Sequence, residues 1–149
     1  MNFILATQNR HKVLEFDAGI DALDISPAPI SVEVDENAED FIGNARLKAR
    51  AYASALGTNA VADDSGLCVD ALDGAPGVYS ARYAVIPPDV DDDPDRTAAN
   101  MRKLLRALRD IPQQRRGAHF TTAICLVIVG KGDIERILAC PDTAPFAHC

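Results

Sequence analysis

The chain has 149 residues, and its 15 Lys and Arg against 22 Asp and Glu leave a net charge of −7. No run of about 18 apolar residues occurs, which excludes a membrane-spanning helix, and at this length folding buries roughly 68–70% of the unfolded surface, so no disulfide staple is required. The acidic balance argues against a nucleic-acid backbone as the main partner, while a small anion stays open because the electrostatics of a site are local.

Met1-Asn2-Phe3-Ile4-Leu5-Ala6 lacks the basic start of a signal peptide, so a cytoplasmic location is expected. Phe3 to Ala6 reads as a first strand running into the polar loop Thr7-Gln8-Asn9-Arg10-His11-Lys12. Val13, Phe16 and Ile20 then recur at helical spacing, and the helix closes near Gly19 to Ala22. Ile30 to Val34 follows Pro27 and Pro29 and alternates β-branched with polar residues, which predicts a short strand. Phe41, Ala45, Ala49, Tyr52 and Leu56 lie on one stripe and predict a long amphipathic helix. Asn37 or Asp40 can cap it, and Gly57 ends it.

Ala60-Val61-Ala62 reads as a short buried strand that leads into Asp63-Asp64-Ser65-Gly66, and Asp73-Gly74-Ala75-Pro76-Gly77 as a turn. Pro87 to Asp95 is too charged and Pro-rich for a regular element. It reads as a solvated loop, since the glycine and terminal glutamate of an EF-hand are absent. Ala98, Met101, Leu105 and Leu108 mark the apolar side of another helix, with Arg102, Lys103, Arg106 and Arg109 outside. Phe120 to Val129 predicts a strand buried on both faces in its second half, and Gly130 to Asp133 turns it into a hairpin partner at Ile134 to Leu138. After Cys140 no period of either kind continues. Cys68, Cys125, Cys140 and Cys149 form no C-x-x-C pair, and His11, His119 and His148 are scattered, so buried thiols are expected rather than a zinc site.

Three segments suggest chemistry. The loop Thr7 to Lys12 joins a strand to a helix start, where unpaired N–H groups and the helix dipole favour an anion. Asp63-Asp64 sets two adjacent carboxylates at the end of a strand, one expected to face a site and the other to cap a turn, and a cation relieves their repulsion. Asp35-Glu36 precedes the long helix that carries Asn44 and Lys48. Taken singly, each also fits an ordinary cap or turn. Together they are the parts of metal-assisted attack of water on a phosphate chain.

Four stretches, Leu5 to Lys12, Phe41 to Ala49, Ala62 to Leu67 and Gly74 to Tyr83, resemble the inosine triphosphate pyrophosphatase family, in the family's order from Met1 to about Leu138. Asp-Asp-Ser-Gly followed by Gly-Ala-Pro-Gly-Val-Tyr-Ser-Ala-Arg-Tyr is the most specific part. The resemblance implies an α/β fold, a mixed sheet with flanking helices in two lobes around a nucleotide cleft, commonly a homodimer. It implies Mg²⁺-dependent hydrolysis of the purine nucleoside triphosphates ITP, dITP and XTP to the monophosphate and pyrophosphate. By the same resemblance Thr7, Gln8, Asn9, Arg10, His11 and Lys12 bind the triphosphate. Glu36 and Asp64 hold the metal, Asp64 also serves as general base, Ser65 contacts the substrate and Lys48 neutralises phosphate. Arg82 and Asn44 match motif positions whose roles stay open between contact and support. The family's Gly-Phe-Gly-Tyr-Asp-Pro loop and Ser-His-Arg segment, which read the purine, have no counterpart in this chain. Ala139 to Cys149 departs from the pattern as a shifted reading frame or early stop would. The expectation is therefore one pyrophosphatase-like domain lacking the family's C-terminal part after about residue 138, with weakened base discrimination. The rival is a nucleotide-binding module without turnover.

Overall fold

The computed structural model describes residues 1–7, 12, 24–85, 95–130 and 134–140. The helix expected over Val13 to Ala22 and most of the Pro87–Asp95 loop lie outside them. Five strands form one sheet in the order β2-β1-β3-β4-β5. Strand β1 (Asn2–Leu5) runs parallel to β2 (Asp24–Pro27), with Phe3 opposite Ile25, and parallel to β3 (Ala60–Val69), with Ile4 opposite Ala60. Strand β5 (Ile134–Cys140) neighbours β4 (Ala118–Ile128) after a connection too short for a crossover, so these two are antiparallel and the sheet is mixed. The fold is thus α/β, as expected.

Met1–Asp64 together with Ala123–Cys140 forms one compact unit, and Ser65–Thr122 belongs to a second. In the first unit, side chains alternate across the sheet as strand geometry requires. Phe3, Leu5 and Val61 point to one face, with Ile124, Leu126 and Ile128 packed beside them. Ala6, Ala60, Ala62, Cys125 and Val127 point to the other, where helix α1 (Phe41–Leu56) lies on them through Ala45, Ala49, Tyr52 and Ala53. Alanines on both sides let helix and sheet approach closely, and Ala45, Ala49, Ala60 and Ala62 are fully buried. Asp40 caps α1 by accepting from the Gly43 N–H at 2.7 Å, and Gly57 closes it in the left-handed conformation at φ 62°.

In the second unit, Asp73 and Gly74 turn the chain at positive φ after β3, as the Gly/Pro cluster predicted. The Ser80 hydroxyl accepts from the Leu67 N–H at 2.9 Å and lies 2.6 Å from the Gly77 carbonyl, to which it donates. Helix α2 (Arg96–Ala107) is capped by Asp95, the last residue of the expected loop.

Three expectations need correction. Ile30 to Val34 is not a strand: the Val32 N–H goes to the Tyr52 hydroxyl at 3.3 Å instead of a ladder, and Val32 and Val34 pack on the α1 core. The strand beside β1 is Asp24–Pro27, whose closing proline is tolerated because β2 lies at the sheet edge. Asp63 and Asp64 do not end a strand, because β3 continues through them to Val69. On α2 the expected apolar stripe is turned partly outward: Met101 is 57% and Leu105 59% exposed, while Leu108 is buried as expected and Ala99, outside the stripe, is buried with it. Polar contacts set this rotation: Asn100 accepts from the Ala84 N–H at 2.7 Å and donates to the Ser80 carbonyl at 3.2 Å, and the Lys103 ammonium sits over the Tyr83 ring.

Candidate active site

Residues four apart share one side of a helix, so Asn44, Lys48 and Tyr52 form a stripe on α1 next to the alanine stripe that packs on the sheet. That stripe meets Asp63 and Asp64 of β3, the end of β1 and the segment around Glu36. Lys48 Nζ stands 3.2 Å from Glu36 Oε2 and 3.2 Å from Asp64 Oδ1, so a single ammonium joins two carboxylates brought from different segments. Asn44 is fully buried and completes the holding of Asp64: its amide donates to Asp64 Oδ2 at 3.2 Å, while its oxygen accepts the Ala38 N–H at 3.0 Å. The Ala38 bond ties the segment that bears Glu36 to the helix that bears Lys48.

Asp63 is 5% exposed and pairs with Lys12, whose position in sequence is 51 residues away. A buried carboxylate is tolerated only with such a partner, so the pair fixes the ammonium at the end of β1. Ala6, Thr7, Lys12, Val32, Val34, Glu36, Lys48, Tyr52 and Asp63 enclose a cavity of about 310 Å³. Its floor is apolar and its wall carries ammonium and carboxylate groups, which suits a small polyanion that arrives with a cation.

Of the expected site residues, Thr7, Lys12, Glu36 and Lys48 line this cavity, and Asp64 is bonded to Lys48 beside it. Gln8, Asn9, Arg10 and His11 lie outside the described residues. Ser65 belongs to the second unit, as does Arg82, whose guanidinium stacks 5.4 Å from the Tyr79 ring centroid. The roles expected for the aspartate pair change. Neither caps a turn: Asp63 lines the cavity with Lys12, and Asp64 is held by α1. Asn44 gains a definite place, and Tyr52, expected only as core, also lines the cavity. The signal for Asn44 was present in the sequence, since an amide four residues before Lys48 shares its side of the helix.

Among the described residues, no group of three or more His, Cys, Asp or Glu side chains converges as a protein cage for a metal. Magnesium does not need one, since it takes one or two carboxylates and completes its shell with water and substrate phosphates. Glu36 and Asp64, already converged on one cation, fit that donor set.

The fold and site define an α/β protein with a charge-lined cavity at the end of a parallel strand pair. The model of the Ham1 family matches residues 3–139, and the chain belongs to that family. The dITP/XTP pyrophosphatase of Nitratidesulfovibrio vulgaris is 50% identical over 141 residues, covering 91% of this chain and 66% of that protein. That of Leifsonia xyli is 43% identical over 132 residues, covering 83% of this chain and 60% of that protein. Among solved structures, the Ham1 protein of Staphylococcus aureus matches with TM-score 0.69 at 32% identity, covering 91% of this chain and 67% of that one. A HAM1 protein from Coxiella burnetii matches with TM-score 0.70 at 33% identity, covering 92% and 68%. The chain therefore spans less than two thirds of the length of these curated relatives.

Proposed function

We propose that this protein hydrolyses noncanonical purine nucleoside triphosphates, ITP, dITP and XTP, to the monophosphate and pyrophosphate, with Mg²⁺ held by Glu36 and Asp64. The observation that carries the proposal is the convergence of Glu36 and Asp64 on one cation beside a cavity lined by Thr7 and Lys12. That these relatives are dITP/XTP pyrophosphatases supports the substrate class. The same proposal takes in a cytoplasmic homodimer, and the net charge of −7 supports a small substrate over a nucleic acid.

In this reading the triphosphate enters with its anionic chain toward Lys12, which Asp63 holds in place, and Thr7 adds a hydroxyl donor. Gln8, Asn9, Arg10 and His11 are further phosphate-binding residues of this reading. When bound, Mg²⁺ neutralises phosphate charge and polarises the bond to be broken. Asp64 accepts a proton from the water that attacks the α-phosphorus, and the Asn44 amide keeps its carboxylate from turning away. Lys12 stabilises the charge that develops on the leaving pyrophosphate. Asp64→Asn keeps the size but removes the base, and its single acceptor oxygen can serve only one of the two donors, Lys48 and Asn44, that Asp64 satisfies. Pyrophosphate release from ITP with Mg²⁺ is expected to vanish, while a non-hydrolysable ITP analogue still binds; comparable turnover by the variant would refute the role.

A further inference from the structure

We infer that Lys48 is a resident counter-ion that occupies the cation's place between Glu36 and Asp64 until substrate arrives, so that metal binding and the movement of this ammonium toward phosphate are one exchange. The inference rests on the proposed function for the identity of the substrate. Lys48 Nζ is 3.2 Å from each carboxylate, and its side chain is only 14% exposed, as is fitting for a group that balances charge away from bulk water. The Asp64 side chain is 13% exposed, so leaving it unbalanced beside Glu36 would be costly. A divalent ion and an ammonium cannot both sit between the same two oxygens. Lys48 also lines the cavity, so an anionic chain there offers it a second partner without leaving the site. Neither carboxylate is then exposed to the other without a cation at any stage.

The exchange predicts that Lys48 competes with metal in the absence of nucleotide. Mn²⁺ binding, read by electron paramagnetic resonance without nucleotide, should be at least about tenfold tighter in Lys48→Met and Lys48→Gln than in the wild-type chain. Lys48→Arg, which keeps the charge, should stay near wild type. Equal or weaker Mn²⁺ binding by cooperatively melting Lys48→Met or Lys48→Gln would overturn the inference. A measurement on the wild-type chain needs no substitution: saturating Mg²⁺ should raise acetylation of Lys48 by acetic anhydride, read by mass spectrometry, and unchanged labelling would overturn it. A Mn²⁺ shift in a chain that releases no pyrophosphate keeps the exchange and removes the hydrolase reading. Pyrophosphate release without the shift does the reverse.

Discussion

Replacing Lys12 with methionine strands the Asp63 carboxylate in a place where only 5% of the residue reaches solvent. Breaking a fully buried pair from one side costs about 3–5 kcal/mol. Lys12 is itself 26% exposed, so the loss here should fall below that range. Adding Asp63→Asn to Lys12→Met removes the stranded charge and should return most of the stability in urea melts while leaving triphosphate binding weak. If both single variants are destabilised and the double variant is their sum, the two groups are not coupled and the placement of Lys12 has another cause. The pair also explains why one aspartate was misjudged from sequence. Its partner is 51 residues away, and no local pattern announces a contact of that separation.

Helix α1 was legible because five apolar residues recur on one side and a left-handed glycine follows the last turn. Strand β2 was not, because Asp24-Ile25-Ser26-Pro27 contains one β-former and ends in a proline that only an edge strand admits. The rotation of α2 was hidden for the opposite reason: its apolar stripe is clear, yet Asn100 and Lys103 make the contacts that dock it. At the start of α1, a methyl group on Gly43 would lie 2.6 Å from Ala38 Cβ and 2.8 Å from the capping Asp40 oxygen. Gly43→Ala is therefore expected to destabilise by about 1–3 kcal/mol through overpacking. Asp40→Ala should cost about 1 kcal/mol as an ordinary lost cap. Chemical denaturation of the two variants side by side checks the order, and the reverse order would show that the first turn yields to the added methyl.

The whole chain carries a charge of −7, and at the cavity Lys12 and Lys48 are matched by Glu36 and Asp63 of its wall and outnumbered once Asp64 beside it is added. A polyanion should therefore depend on a divalent cation for entry. Chelation by EDTA is expected to weaken binding of a non-hydrolysable ITP analogue by at least about tenfold, measured by calorimetry, and raised salt should weaken it further. Unchanged affinity in EDTA would show that the lysines alone suffice. The family was legible because its motifs are short and local, whereas the division of β3 between two compact units was not, since Asp63-Asp64-Ser65-Gly66 has the composition of a loop. That division has a consequence for synthesis. Every described cavity residue lies at or before Asp64, yet Cys125 and Val127, which pack on the same alanines, and Val129, which donates to Asn59, emerge only after all of Ser65–Thr122. On the ribosome the nascent chain must thus hold β3 with one edge open until β4 arrives, and this interval, rather than the finished molecule, is where unpaired backbone invites association with other chains.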